Sequence, residues 1–258
     1  MLIAHYQTGN KAYYGILEGS SLRRLSGSLF EQQTPTGEID ALESVRLLSP
    51  VDPPRIFGAG LNYISHIEEM KLKRPVKPLL FMKPPTSVVG PNEPIIYPRS
   101  DEDIEVHYEG ELVAIIGKRA RRLSKSEALG AVFGYTCGND LSERVIQRIE
   151  MGMGHLLIGK AYDTFCPLGP VIATGLDPSD LLLETRVNGE LRQSVRTSDL
   201  LYSVAHLVSY ISQAVTLLPG DVILTGTPFG IGPTVPGDSI DITIEGIGTL
   251  HNPVVAEA

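Results

Sequence analysis

Along this chain the hydrophobic positions alternate over short spans, and Gly or Pro interrupts them at short intervals. That rhythm predicts strands and hairpins rather than long helices. Over residues 239–245 the alternation is strict, with Ile240, Ile242 and Ile244 on one face and polar residues on the other. Asn188-Gly189 lies between alternating flanks and predicts a tight type I′ hairpin. Residues 2–6 and 12–17 read as two further strands, followed by a loop rich in Ser, Gly, Thr and Pro. Pro-Gly-Asp occurs at 219–221 and again at 236–238, each time leading into an apolar strand.

Helical periodicity is sparse. Ser124 and Glu127 form a capping box that opens a short helix to about residue 132. Asp140 and Glu143 follow the same logic and open a helix to about residue 150. The longest helix is predicted over 202–217, where Val204, Val208, Ile211 and Val215 share a face and Pro219-Gly220 ends it. The fold class is α+β, dominated by strands, without the regular alternation of a doubly wound sheet. A Pro-rich join at 49–54 divides a small β-rich N-terminal module, residues 1–50, from a main domain, residues 51–258.

With 258 residues, 42% hydrophobic and 20% charged, the chain is long and apolar enough to bury a full core. Its formal net charge of −8 argues against nucleic acid or an anionic membrane as partner. Apolar runs such as 112–116 fall far short of the roughly 20 residues that a membrane helix needs. The first residues lack the basic-then-apolar pattern of a leader, and Cys137 and Cys166 form no CxxC pair. The expected location is the cytoplasm.

The stretch 105–116 carries the most chemistry. At a period of two, His107, Glu109 and Glu111 share one face, and both faces turn apolar from 112 onward, as in an interior strand. Two carboxylates about 7 Å apart along a strand then stand at the mouth of a buried face. Either the strand end is solvated there, or a cation sits between them. Asp140 reads as a helix cap by itself. Taken with Glu109 and Glu111 it completes an all-oxygen set suited to Mg²⁺ or Mn²⁺ rather than Zn²⁺. Arg144 and Gln147 follow at helical spacing, as solvated surface or as polar groups beside that set.

Residues 65–69 read as a helical turn that puts His66 and Glu69 at i and i+3. The pair is either a surface salt bridge or an imidazole oriented as a base that activates water. Lys160 stands alone among apolar and small residues, as a surface group or as a holder of a substrate carboxylate or oxyanion. After Gly58 and Gly60 the third glycine of a dinucleotide fingerprint is missing, Tyr63 holding its place. The glycine-rich run 224–232, where Thr227 offers a hydroxyl, lacks the Gly-Lys-Ser/Thr of a phosphate loop. No nucleotide or organic cofactor is expected.

Seven ordered segments carry a resemblance. They are GLNYISH at 60–66, FMKP at 81–84, HYEGELVAIIGK at 107–118, GYTCGNDLSERVIQ at 134–147, GKAYDTFCPLGP at 159–170, VNGELRQ at 187–193 and LLPGDVILTGTPFGIG at 217–232. Over roughly residues 55–255 the chain resembles the fumarylacetoacetate hydrolase family. The resemblance implies a mixed β-roll with a few peripheral helices, and a homodimer. It implies a metal, usually Mg²⁺, on Glu109, Glu111 and Asp140, and a water-activating pair in His66 and Glu69. Lys160, Arg144 and Gln147 become polar groups around the substrate, with Lys160 at an oxyanion, Thr227 a hydroxyl contact and Lys83 a further group near the site. Ile64-Ser65 stand before His66 where many relatives carry Arg-Asp, and Ala161 stands where Ser is frequent.

The activity so implied is metal-dependent cleavage of a C–C bond in a small 2-oxo acid or diacid, by hydrolysis or as a lyase, through a stabilised enolate. Isomerisation of a hydroxyheptadienedioate, or decarboxylation of a diacid in aromatic catabolism, is the close alternative. From another class, the chain would be a catalytically silent dimer that binds small acids.

Overall fold

A computed structural model of the chain describes residues 1–31, 33–53 and 55–258, so Pro54, the last residue of the Pro-rich join, lies outside the described residues. The chain opens as an antiparallel meander of β1 (Leu2–Thr8), β2 (Lys11–Glu18), β3 (Ser21–Ser26) and β4 (Thr34–Ala41), followed by a short β5 (Arg46–Leu47). The loop expected after β2 is thus largely two strands. Leu22 and Leu25 bury β3, whereas β4 is almost wholly exposed and has no apolar rhythm to read. Its Asp40 is bound instead by Arg24 and by the Tyr6 hydroxyl at 2.7 Å.

Next come β6 (Ile56–Gly60), α1 (Ile64–Glu69), β7 (Leu79–Lys83), β8 (Val88–Val89), β9 (Ile95–Tyr97), β10 (Val106–Tyr108), β11 (Gly110–Ile116), α2 (Lys125–Ala128) and β12 (Val132–Asn139). They are followed by β13 (Ser142–Glu143), α3 (Arg144–Gly152), α4 (Ile158–Ala161), β14 (Cys166–Ala173), β15 (Leu182–Val187) and β16 (Glu190–Arg196). The chain closes with α5 (Val204–Ala214), β17 (Val222–Leu224), β18 (Gly232–Pro233), β19 (Ser239–Ile244) and β20 (Gly248–Ala256).

The largest sheet has twelve strands. Ten run in the order β4-β3-β2-β1-β14-β12-β11-β17-β6-β7, with β5 on β1 and β8 on β14. It is mixed, because β17 and β6, and β8 and β14, pair in parallel. Residues 1–50 belong to it: Leu2 pairs Ala173 and Ile3 pairs Ile172, joining β1 to β14. A five-stranded sheet, β16-β15-β19-β20-β9, packs on it, and a small one, β13-β10-β18, adjoins the site. β11 is interior as expected. Its Leu112, Ala114 and Ile116 enter the main core with α5 and the five-stranded sheet, while Val113 and Ile115 enter a second cluster on the opposite face.

Several local expectations hold. Asn188 (φ 52°) and Gly189 (φ 78°) make the β15–β16 turn, both in the left-handed region that a type I′ hairpin requires. The Ser124–Glu127 capping box is present at α2. Three others need correction. The run 105–116 is not one strand: it breaks at Glu109, and β10 and β11 belong to different sheets. Asp140 caps no helix. Its N–H donates to Glu109 O (2.9 Å), while Glu143 is the N-cap of α3 and accepts from Val145 N and Ile146 N. α5 is shorter than 202–217 because Ser203 caps it and Val215 is already extended, with Leu217 bridging to Ala120. Among the described residues no helix is long and apolar enough to cross a membrane.

Gly138 marks how tightly β11 and β12 pack. A Cβ there would meet Val113 Cγ2 at 2.5 Å and the Leu224 and Leu168 methyls at 3.2 and 3.3 Å. Gly138→Ala is expected to destabilise the fold by about 1–3 kcal/mol, the usual range for overpacking. Chemical denaturation checks this, and an unchanged midpoint would mean the strands separate more readily than their contacts imply.

Candidate active site

The break at Glu109 builds the site. Glu109 N donates to Asn139 Oδ1 (2.9 Å) and Gly110 N to Gln193 Oε1 (3.1 Å), which fix the bend from both sides. Glu109 in the bend, Glu111 on β11 and Asp140 at the end of β12 then converge, each offering a carboxylate oxygen within 4.8 Å of the others. All three are buried.

Cations surround two of the three. Lys160 Nζ lies 2.8 Å from Glu109 Oε2 and 2.5 Å from Asp140 Oδ2. Lys83 Nζ reaches the other Asp140 oxygen at 2.6 Å and Leu141 O at 3.0 Å. Arg144 Nη1 and Ser142 Oγ donate to Glu109 Oε1 at 3.2 and 2.8 Å. Glu111, by contrast, accepts from Gly226 N alone among the described residues. Burial disfavours the charge of Glu109, but Lys160 and Arg144 outweigh it and hold this carboxyl well below the usual range. At Glu111 burial and the charges of Asp140 and Glu109 act together and push the carboxyl far up, against a smaller pull from Lys160 and Gly226 N–H. Burial also opposes the Lys160 charge, yet Asp140 and Glu109 raise its pKa.

That asymmetry fits a hard divalent cation. Three carboxylate oxygens in one place, one of them buried with no cationic partner, are an electrostatic deficit that such an ion would fill, and Glu109, Glu111 and Asp140 would hold it.

A cavity of ≈ 80 Å³ opens on the triad. His66, Arg144, Gln147, Lys160 and Thr227 line it with the three carboxylates, so the structure brings together all but two of the predicted site residues. Glu69 stands behind His66, with Oε2 3.2 Å from Nδ1 and Oε1 accepting from Gly230 N at 3.2 Å. The other imidazole nitrogen of His66 has no hydrogen-bond partner among the described residues. Lys83, expected among the substrate contacts, does not line the cavity: it is buried beneath Asp140. His107 does not line the cavity and binds Glu105 Oε1 (2.8 Å). Met70, Leu72, Leu79, Met151 and Leu156 form the apolar wall.

Three supporting residues were given no role by the sequence, although Asn62 and Gln193 stand inside the segments GLNYISH and VNGELRQ. Gln193 is buried, and its Nε2 donates to Thr227 Oγ1 (2.9 Å) and Pro228 O (3.1 Å), tying the glycine-rich loop to the Glu109 bend. Glu150 accepts from the N–H groups of Leu157, Ile158 and Gly159 and so anchors the single turn that carries Lys160. Asn62 binds Thr225 O (2.7 Å) and Tyr202 O (2.9 Å), seating the same loop on β6. Gly226 lies at φ +103° with Asn62 Cβ 2.8 Å from where its own Cβ would be, so only glycine brings that N–H to Glu111. Each is an ordinary polar residue by sequence, and only its burial reveals its work.

Bends, triad and cavity together define a member of a known class. Residues 55–255 match the fumarylacetoacetate (FAA) hydrolase C-terminal family and residues 1–50 the Rv2993c-like N-terminal family. The chain belongs to the fumarylacetoacetate hydrolase family. Among its relatives, oxaloacetate tautomerase YisK of Bacillus subtilis (strain 168) is 41% identical over 228 residues, 83% of this chain and 74% of that protein. The crystal structure of 5-carboxymethyl-2-hydroxymuconate delta-isomerase from Mycobacterium smegmatis superposes with a TM-score of 0.92 at 42% identity, covering 100% of both chains. Maleylpyruvate hydrolase from Sphingobium sp. SYK-6, solved with manganese(II) and pyruvate, gives 0.82 at 31% identity, again over 100% of both chains.

The raised carboxyl of Glu111 carries a stability signature. The fold favours its protonated form, so the cation-free protein loses stability as pH rises above the ordinary carboxyl value of 4.5. In EDTA at pH 8, Glu111→Gln is expected to unfold at higher denaturant than wild type. With Mn²⁺ added, only wild type gains, by about 2.7 kcal/mol at a hundredfold excess over Kd. A wild type indifferent to both Mn²⁺ and Mg²⁺ would remove the metal centre.

Proposed function

We propose that the protein is a divalent-cation-dependent enzyme that moves a proton on a small 2-oxo acid, interconverting its keto and enol or double-bond isomers, with His66 as the base. The observation that carries this reading is that His66 and the carboxylate triad line one cavity. Glu109, Glu111 and Asp140 would hold the cation, to which a 2-oxo acid offers hard carboxylate and keto oxygens. Such a cation would supply positive charge to stabilise negative charge on the keto oxygen and so acidify the adjacent carbon.

The chain's own groups do the rest. Glu69 takes the Nδ1 proton of His66 as a hydrogen bond, which leaves Nε2 with a lone pair for a substrate proton. Thr227 Oγ1 already accepts from Gln193, so its own O–H is available to donate to a substrate oxygen. Arg144 spends Nη1 on Glu109 and Gln147 and retains further N–H donors for a carboxylate. Lys160 and Lys83 grip Asp140 by its two oxygens and so fix its orientation. His66 itself is buried at the cavity.

Similarity above 40% identity to an isomerase and a tautomerase supports proton transfer as the principal reading. Hydrolytic C–C cleavage is the second, supported by the maleylpyruvate hydrolase likeness. There His66 would take its proton from water, and Lys160 would face the oxyanion.

One ultraviolet panel separates the two. Oxaloacetate, acetylpyruvate, fumarylpyruvate and a hydroxyheptadienedioate are each run with Mg²⁺, Mn²⁺ or EDTA, with pyruvate release followed by coupled NADH oxidation. Cation-dependent change of the enol band without pyruvate supports proton transfer, and pyruvate release moves the assignment to cleavage. Failure to turn over any compound in cation-loaded protein would leave a silent binder. His66→Ala is expected to lower kcat by about 10²–10⁴-fold while Mn²⁺ affinity, read by calorimetry, is retained. An unchanged rate would strip His66 of the role.

A further inference from the structure

The end of α1 is built in a way that ordinarily calls for glycine. Lys71 N donates to Glu68 O (3.1 Å) and Leu72 N to Ile67 O (3.1 Å), the paired bonds of a Schellman termination. The residue at its left-handed position is Lys71, at φ 53°. The reversal brings Leu72 to the cavity beside Met70, and the lysine between them is exposed.

Lys71 is not alone. Lys73, Arg74 and Lys77 follow, all exposed, in the segment that runs on from Met70 and Leu72 of the cavity lining. Arg74 pairs with Glu68 at 3.3 Å, whereas Lys71, Lys73 and Lys77 form no ion pair among the described residues. Glu69, the acid at the end of α1, is already engaged by His66 and Gly230 N. On a chain of net charge −8, unpaired positive charge is therefore concentrated in the segment whose Met70 and Leu72 line the cavity.

We propose that residues 70–77 form an anion-collecting rim that makes the site selective for doubly charged 2-oxo acids over singly charged ones. This inference rests on the reading of the site as one for 2-oxo acids and adds the charge class of the substrate. Charges at the mouth of a low-dielectric cleft raise the local concentration of counter-ions, by 10–10³-fold in strongly focused cases. A dianion feels twice the potential energy of a monoanion, so the gain for it is the square of the monoanion's. Salt erases the preference once the screening length falls to a few ångströms.

The test compares wild type with Lys71→Gln/Lys73→Gln/Lys77→Gln. A control of equal net charge, Arg119→Gln/Arg122→Gln/Lys125→Gln, removes exposed cations beyond the opposite end of β11 from Glu111. For oxaloacetate at low salt the rim variant is expected to lose about tenfold in kcat/KM, with kcat retained. The loss should be smaller for acetylpyruvate, vanish in high salt and be absent from the control. Equal losses on both compounds, a salt-independent loss, or the same loss in the control would overturn the rim. If wild type turns over neither compound, the enzymatic reading fails separately. Calorimetry of oxalate and of pyruvate with Mn²⁺-loaded protein then reads the rim without turnover. Selectively weakened oxalate binding by the rim variant at low salt upholds it, and unchanged binding overturns it.

Discussion

Everything near the cavity follows from the cost of gathering three carboxylates out of water. Asp140 is made tolerable by two lysines that grip its oxygens from opposite sides, and Glu109 by Lys160, Arg144 and Ser142. Among the described residues Glu111 is left without a cation of its own. Charge compensation is thus nearly complete but not quite, and the shortfall lies on the oxygens that face the cavity. A site with full internal compensation would have little reason to take up an ion, and one with none would not fold around its acids.

The backbone around the triad is held by the same means. Buried side chains gather N–H groups that no strand or helix satisfies: Glu143 takes those at the start of α3, Glu150 those before Lys160, and Gln193 and Asn139 those of the Glu109 bend. The site's functional groups sit on bends, short turns and loop glycines, where hydrogen bonding has to come from side chains. Rigidity at these places comes from polar contacts, while the sheets behind supply only the platform.

Much of this was legible from residue pattern. Strict alternation found β19, Asn-Gly found the β15–β16 hairpin, and spacing paired Glu109 with Glu111, to which oxygen chemistry and the family resemblance added Asp140. What escaped was decided by tertiary pairing. β4 has no apolar face, so nothing local distinguishes it from a loop. The break at Glu109 is invisible to a period-two reading, because Gly110 is as compatible with a continuous strand as with a bend. The capping logic at Asp140 chose the wrong acid of two, since Glu143 alone is placed to accept the α3 amides. The resemblance puts Lys83 near the site, and only its burial shows that it lies beneath the triad and not in the cavity. Net charge, too, conceals local sign: five cations lie between Lys118 and Lys125 and four between Lys71 and Lys77 on an acidic chain.

The pairing of β1 with β14 has a meaning for the life of the molecule in a crowded solution. β14 carries Val171, Ile172 and Ala173, an apolar run whose backbone would lie open along one side without Leu2 and Ile3. An open apolar edge is a template on which other chains can add strands. β1 therefore has its berth beside a strand more than 160 residues further along the chain. Until that partner arrives, β14 and β1 are each an unprotected edge, and their union removes the fold's most obvious invitation to aggregate.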